Sequence, residues 1–139
     1  MDLGRRTTRN PEHRYIGSGL MIRALFSALL FFTSGLAAQA ANDIAQIQQG
    51  LDSPVIVDVR SEGEYASGAI DGALNHPLLG LPGTLLDMGV ELDEEVIVYC
   101  RSGRRSAQAK TLLKQAGFQL VFDGGPMTQL EQVLEQSEP

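Results

Sequence analysis

The sequence has 139 residues, 11 basic against 17 acidic side chains, one Cys, two His and no Trp. That length allows one domain of ordinary size, 43% hydrophobic with 20% charged residues is a globular composition, and a single Cys excludes an intrachain disulfide framework or a Cys-rich zinc site. A net charge of −6 argues against a general nucleic-acid binder, whose surface must neutralise phosphates, while His13 and His76, far apart in sequence, leave little for a histidine-based metal site.

Residues 1–20 are polar, carry Arg5, Arg6, Arg9 and Arg14, and show neither a helical nor a strand period, so they read as a non-structural N-terminal extension. From Met21 the pattern changes. Arg23 is followed by an almost wholly apolar run from Ala24 to Leu36, and then by the small residues of Ala38-Gln39-Ala40. A positive start, an apolar middle and small residues at −3 and −1 are the three parts of a secretory signal. Cleavage after Ala40 would start the mature chain at Ala41 and place it in the periplasm. The run is shorter than the roughly 20 residues a spanning helix needs, so a stable membrane anchor is the lesser reading. A twin-arginine signal at Arg5-Arg6 is weaker still, because the apolar run begins far downstream. Translation from Met21, with residues 1–20 as an extension, is a simpler account of the same layout. Removing residues 1–40 leaves six basic and 15 acidic residues, a net charge of −9 over 99 residues. Such a domain repels anions over most of its surface.

Residues 41–139 read as a single domain with neither internal repeat nor low-complexity tract. Asp43 to Gln49 reads as a short helix stopped by Gly50. Val55 to Val59 is a β-branched run, hence a buried strand. Ser61 to Ser67 is a helical turn, with Ser61 as cap and Glu64 three residues on as its capping-box partner. Gly72 to Pro77 is a loop with a short strand at Ala73-Leu74-Asn75. Gly83 to Gly89 is a weak helix, and Glu91 to Glu95 an acidic turn. Val96 to Tyr99 is a second buried strand ending at Cys100. A helix begins near Ser106, with Ala109, Leu112, Leu113 and Ala116 on one apolar face and Gly117 as its stop. Leu120-Val121-Phe122 is a third strand. Gly124-Gly125 turns the chain into a last helix with Pro126 at its first position and Met127, Leu130, Val133 and Leu134 buried. Strands alternating with helices imply an α/β fold, a small parallel sheet flanked by helices on both faces. Ligands of such sheets bind beyond the carboxyl ends of the strands, where Cys100 sits.

Three of the six basic residues after residue 40 lie in Cys100-Arg101-Ser102-Gly103-Arg104-Arg105-Ser106. Gly103 lets the loop curl with its N–H groups inward, and the following helix adds unpaired N–H groups and the positive end of its dipole. A thiol there ionises readily without a histidine base. A lone Cys at a strand end is commonly just a small hydrophobe. Three Arg and a Gly in the next five positions favour the reactive reading.

With these residues the chain resembles the rhodanese-like domains. Asp58-Val59-Arg60 is similar to the family's DVR at a strand end. Glu64-Tyr65 and Gly68 to Pro77 resemble its E-[FY] and GHIPGAxNIP stretches, with Gly68-Ala69-Ile70-Asp71-Gly72-Ala73 lacking the His and Pro. Val98 to Ser106 resembles its active-site loop, and Gly117-Phe118 and Asp123-Gly124-Gly125 its GF and GG signals. The resemblance implies a rhodanese-like fold and a thiosulfate sulfurtransferase that carries sulfur as a persulfide on Cys100. Arg101, Ser102, Gly103, Arg104, Arg105 and Ser106 would bind the substrate. Asp58, Arg60 and Glu64 would be structural, ion-paired near the loop. It implies a small anionic donor, a cyanide, thiol or protein acceptor, and no metal or organic cofactor. A non-enzymatic sulfur carrier or protein-binding module is the alternative. A cysteine phosphatase or arsenate reductase fits less well. Its C-x5-R spacing calls for Arg where Ser106 stands.

Overall fold

The computed structural model describes residue 35 and residues 38–137. The expected extension (1–20) and most of the expected signal segment (21–40) lie outside the described residues. Residues 38–48 are helical (α1), so Ala40 and Ala41, the expected cleavage point, fall inside this helix. The helix ends before Gly50, as its sequence predicts.

The elements then follow as β1 (Val55–Asp58), α2 (Glu62–Ala66), β2 (Leu74–Asn75), a 3-10 turn (Leu78–Gly80), α3 (Gly83–Asp87), β3 (Glu95–Cys100), α4 (Arg104–Gln115), β4 (Leu120–Pro126) and α5 (Met127–Ser137). The four strands form one sheet of order β2-β1-β3-β4, and every pairing is parallel. Strand β3 is central and buried on both faces, which is why it reads as a continuous apolar run. Its side chains alternate. Val96, Val98 and Cys100 pack with Val57, Leu85, Ala109, Leu113 and Phe118 on one face. Ile97 and Tyr99 pack with Ile47, Phe122, Leu130 and Val133 on the other. Helices α3 and α4 therefore cover one face, and α1 and α5 the other. Each fully buried aliphatic side chain contributes about 1.5–3 kcal/mol to this arrangement.

Three details depart from the sequence reading. Helix α4 begins at Arg104, two residues before the expected start, because Gly103 takes a left-handed conformation (φ +86°) and serves as its N-cap. Ala109 and Leu113 are buried, but Leu112 and Ala116 are exposed. The buried face is thus narrower than the periodicity suggests. Pro126 is the last residue of β4 rather than the first of α5. It pairs with Cys100 on an edge strand, where a missing N–H costs nothing. The pairing of β3 with β4 slips between Val98 and Tyr99, whose partners are Asp123 and Gly125. Gly124 is the extra residue of this bulge. A Cβ on it would lie 2.8 Å from Leu130 Cδ2 and 3.1 Å from Ile97 Cγ2, so only Gly lets α5 close on the sheet.

Candidate active site

The candidate site is the link between β3 and α4. Tyr99 and Cys100 end the central strand, and the chain turns through Arg101-Ser102-Gly103 into the helix. Gly103 makes this turn possible. Its φ of +86° is one that L side chains rarely adopt, and its Cα faces Gly125 and Pro126. The β4 bulge thus supports the loop from behind. No side chain caps α4, so its first-turn N–H groups remain for the sulfur and its ligands.

Cys100 is fully buried and free of any disulfide. The Gly103 N–H donates to its Sγ at 3.1 Å. The thiol itself donates to Ser106 Oγ at 3.9 Å, and the Ser106 hydroxyl donates to the Gly103 carbonyl at 2.9 Å. Burial pushes the thiol up, but the N–H groups of Ser106, Ser102 and Gly103 and the Ser106 hydroxyl outweigh it. The result is a pKa below the ordinary thiol value of 9.0. The loop backbone, more than guanidinium charge, favours ionisation of this sulfur.

The loop side chains are not equivalent. Arg101, Ser102 and Arg104 are exposed, Arg105 is half-buried, and Ser106 is wholly buried against Cys100. Arg105 makes a bidentate ion pair with Glu64, Nη1 to Oε2 at 2.7 Å and Nη2 to Oε1 at 2.8 Å. The pair raises the Arg105 guanidinium and holds the Glu64 carboxyl well below the usual carboxylate range, with help from the Ser61 backbone N–H. Glu64 also closes the capping box of α2 with Ser61. One residue therefore both starts a helix and fixes an arginine of the loop.

Asp58 and Arg60 form a separate, buried pair at the end of β1. Arg60 Nη2 lies 2.6 Å from Asp58 Oδ2 and also donates to the Gly68 carbonyl at 2.6 Å. Asp58 Oδ1 accepts from the Arg60 N–H at 2.9 Å. The guanidinium stacks 5.9 Å from the Tyr99 ring centroid, and burial pushes the Tyr99 phenol up to about 12. This pair braces the strand ends next to the loop and does not touch the sulfur. His76 is buried, held below its ordinary value by desolvation. Among the described residues no group of three or more His, Cys, Asp or Glu side chains is placed to hold a metal ion. The ion pairing of Glu64 near the loop was expected, and the structure supplies its partner, Arg105; the support from Gly125 and Pro126 was not foreseen.

A parallel α/β sheet with one cysteine cradled at a strand end by the N-terminus of the next helix defines a class of thiolate proteins. Comparison with known proteins narrows it. Residues 40–125 match the rhodanese-like domain family, to which the chain belongs. It is 32% identical over 83 residues to a sulfurtransferase of Allochromatium vinosum, covering 60% of this chain and 76% of that one. It is 33% identical over 69 residues to the thiosulfate sulfurtransferase PspE of Escherichia coli, covering 50% of this chain and 66% of that one. Among solved structures, a rhodanese with anions from E. coli superposes with a TM-score of 0.53 at 30% identity. That match covers 55% of this chain and 91% of the other.

Proposed function

We propose that this protein is a thiosulfate sulfurtransferase working by double displacement on Cys100. The Cys100 thiolate attacks the outer sulfur of thiosulfate, the S–S bond breaks, and sulfite leaves with the electron pair. The persulfide left on Cys100 is then attacked at its outer sulfur by cyanide or a thiol, and the pair returns to Sγ. This is covalent catalysis by an activated nucleophile. The observation that carries the reading is the 3.1 Å contact from the Gly103 N–H to Cys100 Sγ at an uncapped helix start, which favours a thiolate without a base. Arg101 and Arg104 hold the sulfonate oxygens. Arg105, tied to Glu64, shapes the rim. The names of the relatives support the reaction class, and the thiosulfate specificity is carried over from PspE.

Intact mass after incubation with thiosulfate and no acceptor should show one added sulfur atom. Cys100→Ser should show none and should lose all thiosulfate:cyanide transfer, since a hydroxyl is not ionised near neutral pH. Transfer by a folded Cys100→Ser protein would refute the mechanism. The same preparation should not hydrolyse aryl phosphates, because Ser106, where a closing Arg would be needed, is buried against the sulfur. The reading includes export. A charged start, an apolar run and Ala38-Gln39-Ala40 support cleavage after Ala40, and protein recovered from the periplasm should begin at Ala41.

A further inference from the structure

An open groove of about 570 Å3 lies between the 3-10 turn and α4. Leu78, Leu79 and Leu81 form one wall, and Ala107, Thr111 and Leu112 the other. Leu79 is 99% exposed, and Leu112, the residue that periodicity places in the core, is 38% exposed. The groove adjoins the candidate site. Leu81 packs in the same core cluster as Cys100, Leu78 is hydrogen-bonded to the residue after β1, and Ala107 follows Ser106. Arg104 stands one turn before Ala107 on the same face of α4, by the i, i+3, i+4 spacing. Arg104 and Arg101 form no ion pair among the described residues, whereas Arg105 is engaged by Glu64. From Arg104 to Leu112 the helix rises about 12 Å, the span of roughly four residues of extended chain.

We propose that this groove docks the sulfur acceptor, and that the acceptor is an extended protein segment carrying a cysteine thiol, an acidic group beside it and apolar side chains after it. The inference rests on the persulfide reading above and names the partner of that site. Charge complementarity selects this occupant. Residues 41–139 have a net charge of −9 and repel an acid over most of their surface, whereas at the loop Arg101 and Arg104, in no ion pair among the described residues, stand exposed to receive it. The apolar side chains then cover Leu79 and Leu112. The step is balanced. The segment's thiolate attacks the outer sulfur of the Cys100 persulfide, the S–S bond breaks, and Cys100 recovers its thiolate while the segment leaves as a persulfide. No electrons enter from outside.

Two synthetic pentapeptides test it on the full chain, one reading Glu-Cys-Leu-Ala-Leu and a control reading Gln-Cys-Ser-Ala-Ser. The first should accept sulfur from thiosulfate-loaded protein with a kcat/KM about tenfold above the control, the equivalent of one apolar side chain partly buried. Leu79→Ser, which changes only an exposed side chain, should remove that advantage and leave loading from thiosulfate unchanged. Fluorescence anisotropy of the first peptide with Ser in place of Cys reads docking without any sulfur transfer. It should show binding to the wild-type chain that Leu79→Ser weakens about tenfold. Failure to load sulfur would therefore overturn the proposed function, while loss of docking would overturn this inference alone. Equal turnover of the two peptides, anisotropy indifferent to Leu79→Ser, or a wild-type dimer that Leu79→Ser dissociates would each overturn it.

Discussion

The ionisation of Cys100 is a contest between two physical effects, and its surroundings decide which wins. Burial alone would keep the thiol protonated, yet the donors of Ser102, Gly103 and Ser106 lower it below 9.0. A group whose folded pKa is depressed holds its charge down to lower pH than in the unfolded chain. Alkylation of Cys100 should therefore follow a titration with its midpoint below 9.0. Ser106→Ala removes the hydroxyl whose hydrogen bond with the sulfur lowers the thiol and leaves the burial, so its midpoint should move up. A midpoint unchanged by that substitution would assign the whole effect to the backbone. Glu64 allows the complementary test. Glu64→Gln keeps a capping-box side chain but removes the charge that binds Arg105. A released guanidinium near the sulfur should lower the KM for thiosulfate by about two- to fivefold, the range of a solvent-exposed charge contact. It should also steepen inhibition by salt. A steady-state KM measured at two ionic strengths checks both.

At the level of the elements, the loop depends on two glycines for different reasons. Gly103 is needed for its angle, and a Cβ there would still find 3.4 Å to Pro126 Cδ. Gly124 is needed for space against Leu130 and Ile97. Gly103→Ala should therefore cost only about 1–2 kcal/mol of stability while distorting the N–H groups around the sulfur, so sulfur loading falls more than Tm. Gly124→Ala should act in the opposite proportion, by loosening α5. Thermal melts and loading rates on both variants separate the two. The same elements show what the sequence could tell. The strand ending at Cys100, the Ser61–Glu64 capping box and the Met127–Leu134 face are local patterns, and each is found where its pattern puts it. The outward side of Leu112 was not legible, because it depends on how far the 3-10 turn reaches over α4. Nor was the strand position of Pro126, set by a bulge that arises only in pairing with β3. The Glu64–Arg105 clamp joins residues 41 apart, and no local spacing encodes it.

Across the whole molecule, a second buried ion pair ties distant elements together. Asp43, in α1, is buried. Its Oδ2 accepts from the Lys110 ammonium of α4 and, at 3.0 Å, from the Asp123 N–H of β4, 80 residues away. One carboxylate thus ties the first described helix to the sheet and to the helix that begins at the sulfur. Lys110 and Asp43 have side-chain exposures of only 16% and 7%, so removing one partner strands the other in a poorly solvated place. Asp43→Ala should destabilise the fold by about 3 kcal/mol, and Tm should fall by roughly 12 °C or more for a domain of this size. Because Asp43 does not touch the loop, the folded fraction should still load sulfur at the wild-type rate at low temperature. Cleavage after Ala40 would keep this clamp as the third residue of the exported chain, whereas trimming past Asp43 would lose it. Melting the variant and assaying it well below its Tm decides the point. A Tm within about 2 °C of wild type, the response to less than 1 kcal/mol, would show that α1 is held by Ile47 and its apolar neighbours and not by the carboxylate.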